Sequence, residues 1–273
     1  MPHAVMHNMR QEMSVSSRIS PVIQDIVEKA LEEIETSLDA RIILAMDAGL
    51  RGQGMESADS PYQIMFVYVH RLDWYLKLSP GPATVELPAS DDFSLTGWDI
   101  RHLVEKMKQS DATETRWLNS GAVYRSDVDL MRRLAVLQRR VWQPAPALAA
   151  EIKTATSVQG NWSLGHTLTT EEFLTPMYAA LSGKVIAEDN GPPPGDIRVL
   201  YEGLSEEVTN EMDVILSKKA KNAANSDAPP CFRSQIFMNA ELARLQTVEL
   251  PTHPAPDDSI FDRFLADTIR RFG

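Results

Sequence analysis

Cysteine is nearly absent: Cys231 stands alone in 273 residues. No intrachain disulfide can form, a lone thiol fits a reducing compartment, and without a second cysteine a thiolate zinc site is disfavoured. His3, His7, His70, His102, His166 and His253 are scattered without metal-ligand spacing, and no Ser/His/Asp signature of nucleophilic catalysis accompanies them. No apolar run approaches the ~20 residues of a membrane span. The opening MPHAVMHNMRQEM lacks the apolar core of a signal peptide. The expectation is a cytoplasmic protein without membrane contact, resident metal or cofactor. Positive charge is also in deficit, with 27 Lys and Arg against 38 Asp and Glu and a net charge of −11. That balance argues against broad, sequence-blind coating of nucleic acid but leaves room for a local basic patch.

The patterning is that of an α+β protein. Residues 1–19 show no period and read as a mobile tail. Ser20-Pro21 is a cap followed by proline at the first helical position, and Ile23, Ile26, Val27, Leu31 and Ile34 form a helical stripe behind it. Arg41–Met46 and Ile64–Val69 are short apolar runs that suit buried strands, separated by a loop bearing Gly49, Gly52 and Gly54. Ala83–Leu87 follows the Pro80-Gly81-Pro82 turn as a third strand. From there the pattern turns helical. Thr96 is the expected cap of a helix through Ile100, Leu103, Val104 and Met107, and Asp111 that of a helix through Thr115 and Leu118. Ala122-Val123-Tyr124 is extended, and Ser126 opens a helix carrying Leu130, Leu134, Leu137 and Val141. Further helices are expected near 145–157, 169–182, 205–221 and 257–272, with loops at 191–195 and 225–230. The domain division that follows is 20–143 and a helical 144–273.

A strand, a glycine-bearing turn and a second strand resemble the palm of the polymerase-β superfamily. More closely, the chain resembles a bacterial and phage family of nucleotidyltransferases linked with RNA repair. Gly49 and Arg51 match its turn, and Ser60 and Tyr62 the opening of its next strand, with Phe66 and Tyr68 at core positions. Arg71–Leu76, Glu86-Leu87-Pro88, Gly97-Trp98-Asp99-Ile100, Trp117-Leu118 and Val123-Tyr124-Arg125 follow in the family's order. The resemblance covers roughly residues 40–140. It implies a polymerase-β-like nucleotidyltransferase palm, a mixed sheet with helices, followed by a mostly helical C-terminal half.

The departures from the family's pattern bear on activity. In an active member two carboxylates one residue apart on a strand point to one face and hold two divalent ions that bridge phosphates. The matching positions here are Pro61 and Gln63, and the position of a third carboxylate is Ser94. Proline has no ligand, and a neutral amide is a poor substitute for a carboxylate on Mg²⁺. The serine that helps cradle phosphate after the glycine is Leu50, and the family's basic cleft helix aligns with Thr169-Thr170-Glu171-Glu172-Phe173. The former cleft would then comprise Gly49, Arg51, Ser60 and Tyr62 as shape without catalytic residues. Asp47, Asp59, Asp91 and Asp92 are either recruited ligands or, more simply, turn and loop acids. Arg51 has two readings, phosphate binding or pairing with a local acid. Trp98-Asp99 reads as a packing element at a helix start.

Arg125, Arg132, Arg133, Arg139 and Arg140 form the densest basic cluster, with i, i+7 spacing that places Arg132 with Arg139 and Arg133 with Arg140. Such a face suits an RNA backbone; a solvated helix surface is the plainer meaning. Trp74, Tyr75, Trp117, Trp142 and Trp162 are packing aromatics unless two of them stand exposed beside arginines. The expected protein is a pseudoenzyme that binds structured RNA or a ribonucleoprotein such as tRNA or the ribosome, and an origin in a phage would suit it. The alternatives are a live transferase using displaced acids and a protein-interaction scaffold with a protein partner.

Overall fold

Strand β1 (Ala40–Asp47) is buried from Ile42 onward, as a continuous apolar run at the centre of a sheet must be. It pairs antiparallel with β2 (Tyr62–His70) on one side and with β5 (Val123–Ser126) on the other. β2 pairs in parallel with β4 (Phe93–Asp99), and β4 antiparallel with β3 (Thr84–Glu86). The order is β3-β4-β2-β1-β5, a mixed sheet. This computed structural model describes residues 19–79, 81–87, 90, 92–109, 115–159, 168–189, 191–221, 227–229, 231–251 and 253–273. The expected tail up to residue 18, Pro88, Asp91, the cap at Asp111, Trp162, His3, His7 and His166 lie outside the described residues, as does most of the 225–230 loop.

Each sheet face has its own cover. Helix α1 (Pro21–Leu38) lays Val27, Leu31 and Ile34 on Ile42, Ala45, Ile64, Phe66, Tyr68, Leu95 and Tyr124. Ser20 has the extended backbone of a cap, but its side chain makes no capping hydrogen bond to the helix. Three helices cover the other face: α3 (Ile100–Gln109), α4 (Val128–Val141) and α10 (Asp258–Phe272). Ile100, Leu103, Leu130, Leu134, Phe261 and Phe264 pack there with Ile43, Met46, Val67 and Val69. Thus the last helix, which the sequence division assigns to the helical half, returns to the sheet. A short helix α2 (Leu72–Tyr75) follows β2, and a 3₁₀ turn (Arg116–Asn119) precedes β5.

The chain from 144 onward is helical: α5 (Pro144–Gln159), α6 (Thr170–Asp189), α7 (Ile197–Tyr201), α8 (Glu206–Lys221) and α9 (Phe232–Leu245). α6 is the core of this half, with every residue from Met177 to Ser182 buried, as expected of a helix apolar on all sides.

Several boundaries differ from the sequence reading. Thr96 lies inside β4, opposite Met65, and does not cap a helix. Asp99 takes that role: its Oδ1 accepts from Arg101 N at 2.9 Å. Ser126 ends β5, and Asp127 caps α4 by accepting from Leu130 N at 2.8 Å. β4, α7 and α9 went unrecognised. In β4 the run FSLTGWD is only half apolar because a neighbouring strand, not its own composition, holds it in the sheet.

Candidate functional site: a palm groove without carboxylates

The parallel register sets Gln63 opposite Ser94 and Tyr62 opposite Phe93. Side chains alternate along a strand, so Gln63 and Met65 share a face, and Ser94 and Thr96 continue it on the next strand; Pro61 immediately precedes β2. Gln63 is exposed and Ser94 half-buried at the open end of that face. Of the three positions that the resemblance marks as carboxylates, Gln63 and Ser94 therefore meet at one mouth with an amide and a hydroxyl, and Pro61 stands just before the strand with a ring. Among the described residues no group of three or more His, Cys, Asp or Glu is placed to hold a metal ion. A pair of divalent cations does not fit this donor set.

The turn after β1 closes over the groove. A Cβ at Gly49 would stand 2.9 Å from Gln63 Oε1, so the glycine lets the turn lie against that amide. Asp47 Oδ1 accepts from Gly49 N at 2.9 Å and Gly52 N at 3.3 Å, and Oδ2 from the Tyr124 hydroxyl at 3.2 Å. The amides that could face an anion from outside are thus turned onto an internal carboxylate. Asp47 is fully buried, and burial pushes its carboxyl up from the ordinary 3.8 despite those donors and the nearby Arg51 charge.

Arg51 follows neither of its two expected readings alone. It is buried, donates from Nη2 to the Ser60 carbonyl at 3.0 Å, and lies 4.1 Å over the Tyr62 ring. Asp47 is its nearby opposite charge. Leu50 points the other way and packs against the helical half's core, where Met55 is buried. At the position where the resemblance implies a phosphate-cradling serine, an apolar side chain packs the turn onto the helical half. Arg51 thus ties Ser60 and Tyr62 to the turn, and Gly49 lies in that turn against Gln63. Of the spare acids, Asp47 is sealed, Asp59 accepts from Ser57 Oγ at 2.7 Å, and Asp92 is exposed.

Gly52→Ala drives a Cβ into the Asp47 carbonyl oxygen and Ser120 Oγ, and is expected to cost about 3 kcal/mol, read by urea unfolding. Asp47→Asn keeps an acceptor for both glycine amides but carries no charge. Because the native carboxyl sits above its ordinary value, the wild type's stability contribution is complete at low pH and is lost as pH rises through the native value. The stability difference, variant minus wild type, should grow from about pH 4 upward; a flat difference would contradict the buried-charge reading.

The acids of the Thr169–Phe173 stretch are engaged within the fold. Thr169 and Glu172 form a capping box: Thr169 Oγ1 accepts from Glu172 N at 3.2 Å, and Glu172 Oε2 from Thr169 N at 2.8 Å. Glu171 receives the buried Lys219 at 3.4 Å. The seam between the halves carries a second polar knot that the sequence reading missed. Arg116 Nη2 lies 2.6 Å from the buried Glu151 and its guanidinium sits over the Tyr178 ring, whose hydroxyl donates to Gly195 O at 2.9 Å. The partners are 35 and 62 residues from Arg116 in the chain, beyond the reach of any local pattern.

The five arginines do not form one surface. Arg125 lies on β5 and pairs with Glu28 and Glu35 of α1, on the opposite side of the sheet from α4. Arg133 rests over Phe264 of α10 at 5.3 Å. Arg132, Arg139 and Arg140 are exposed on α4, the first within 3.7 Å of Asp129, and Arg139 and Arg140 form no ion pair among the described residues. Trp74 is half-buried, with His70 stacked on its ring at 4.0 Å and the Arg101 guanidinium 5.0 Å from the ring centroid. Trp98 is half-buried against Trp117 and His102, and Trp117 and Trp142 are buried.

A palm sheet with a glycine turn, backed by a helical half, defines a nucleotidyltransferase-like protein of the polymerase-β type. Residues 23–267 match the model of the RNA repair pathway DNA polymerase beta family, RlaP, and the chain belongs to that family. Over 250 residues it is 24% identical to the uncharacterized protein YcgL of Bacillus subtilis strain 168, spanning 90% of this chain and 96% of that one. A nucleotidyltransferase-like protein from Exiguobacterium sibiricum 255-15, known from a crystal structure, is 11% identical over 90% of this chain and 80% of its own. The TM-score of that pair, 0.32, is too low to bear on the fold. No helix among the described residues is long and apolar enough to cross a membrane.

Proposed function

We propose that this chain is a family member that binds structured RNA or a ribonucleoprotein, tRNA or ribosomal RNA foremost, and has given up nucleotidyl transfer. The observation that carries the loss of chemistry is the Gln63–Ser94 pairing at the groove mouth, with Pro61 just before the strand. Three uncharged positions there leave nothing to neutralise a polyphosphate or activate a hydroxyl. Support for RNA comes from the family's description, which names an RNA repair pathway, and from the exposed Arg132, Arg139 and Arg140. Arg125 drops out of the binding face because α1 already neutralises it. A cytoplasmic location goes with this reading. A live transferase using Asp47 is disfavoured by that side chain's burial and its three internal donors. The test is filter binding of total tRNA and ribosomal RNA fragments at two salt concentrations. Saturable, salt-sensitive binding is expected, and no affinity at low salt would rule the proposal out.

A further inference from the structure

The two edges of the sheet end differently. At β5 the first helix closes the edge: Gln24 Nε2 donates to the Tyr124 carbonyl at 2.7 Å, and Glu28 and Glu35 hold Arg125. The other edge is β3. Its bonds to β4 include Leu87 N to Leu95 O at 3.1 Å and Asp99 N to Ala83 O at 2.8 Å, so residues 83, 85 and 87 turn their peptide groups inward. The N–H and C=O of Thr84 and of Glu86 therefore point out of the sheet. They have no hydrogen-bond partner among the described residues, and both residues are exposed. Beside this edge, between β3 and α1, lies a groove of about 320 Å³ lined by Ala30, Ile34, Leu38, Val85, Leu87 and Leu95. Alternation along β3 puts Val85 on the groove face and Thr84 and Glu86 on the other.

We propose that β3 takes up an extended peptide of a protein partner as an added antiparallel strand, with apolar residues alternating with Lys or Arg. A row of free peptide groups selects an extended chain, because a helix has already paired its own. Main-chain bonds to Thr84 and Glu86 then give affinity, and the places offered to alternate side chains give specificity. In antiparallel pairing the residues bonded to Thr84 and Glu86 lay their side chains on the Glu86 face, and the residue between them points into the groove. The groove face takes apolar side chains. The other face takes a cation: Glu86 is exposed and forms no ion pair among the described residues, and an opposite charge directly across the strands is favourable. Glu33, at the groove itself, is likewise exposed and without an ion pair among the described residues. A second copy of this chain is the poorer occupant, since it brings the same acid and a net charge of −11 to the edge. β3 is only 3 residues long, so the contact is short. The expected dissociation constant is on the order of 100 µM.

Fluorescence anisotropy with the full chain and a labelled, end-capped Val-Lys-Val-Lys-Val peptide reads the docking. Saturable binding is expected. A peptide of the same composition with its lysines adjacent, and one with glutamate in place of lysine, should each bind at least about tenfold more weakly. Glu86→Lys, with unchanged circular dichroism, should weaken binding at least about fivefold. N-methylation at the lysines, whose amides face β3, should abolish binding, whereas N-methylation at the valines should leave it within about twofold. Absence of binding overturns the proposal. So does equal binding of the rearranged peptide, which would be charge attraction alone. Equal effects of the two methylations overturn the strand pairing. Self-association of the wild-type chain in sedimentation velocity, abolished by Glu86→Lys, would assign the edge to a second copy instead.

Discussion

Changing Arg132, Arg139 and Arg140 together to glutamate is expected to weaken binding of structured RNA by about 100-fold or more near 0.1 M salt. Each phosphate that an arginine neutralises releases condensed counterion, and at that salt one contact is worth roughly tenfold in affinity. Three lost contacts also flatten the dependence of log K on log salt by about three units. The fold should tolerate the change: these side chains stand on the solvent side of α4, opposite Leu130, Leu134, Leu137 and Val141. Arg125→Ala is the informative companion. Arg125 pairs with Glu28 and Glu35, so its removal should lower stability and leave RNA affinity within about twofold. Equal losses of affinity from both variants would place RNA elsewhere.

The second large effect is a gain. Pro61→Asp, Gln63→Asp and Ser94→Asp in one chain are expected to create saturable Mn²⁺ binding, at about 100 µM or tighter, seen by electron paramagnetic resonance. The register sets positions 63 and 94 side by side on strands about 4.8 Å apart, and position 61 stands just before β2, two residues from 63. That geometry suits carboxylates bridging ions roughly 3.5–4 Å apart. Without metal the variant should be less stable by about 1–3 kcal/mol, because three like charges crowd one mouth, and Mn²⁺ should restore the loss. If the triple variant folds yet binds no Mn²⁺, the three positions do not form a metal seat.

Much of the palm was legible because its signals are local. Arg41–Met46 and Ile64–Val69 are apolar runs that no surface strand would carry, and the glycines between them announce a turn. The collinear motifs gave the family before any geometry, and the family match over residues 23–267 agrees. What stayed hidden depends on distant partners. Nothing in FSLTGWD declares a strand until β2 lies alongside it. The arginine cluster looked continuous because sequence proximity stood in for space, yet Arg125 belongs to β5 and α1. Likewise, Glu171 and Glu172 stood out only as acids aligned with the family's basic cleft helix, while one pairs with Lys219 and the other closes a capping box. In α9 the exposed and buried apolar residues overlap in sequence, so no single stripe stood out.

The most direct measurement is Mn²⁺ binding to the wild-type chain in the presence of a non-hydrolysable ATP analogue, by electron paramagnetic resonance and by anomalous scattering from soaked crystals. The expected result is the spectrum of Mn²⁺ bound to nucleotide alone, with no ion between β2 and β4. Two ions seated beside Gln63 and Ser94 would contradict it.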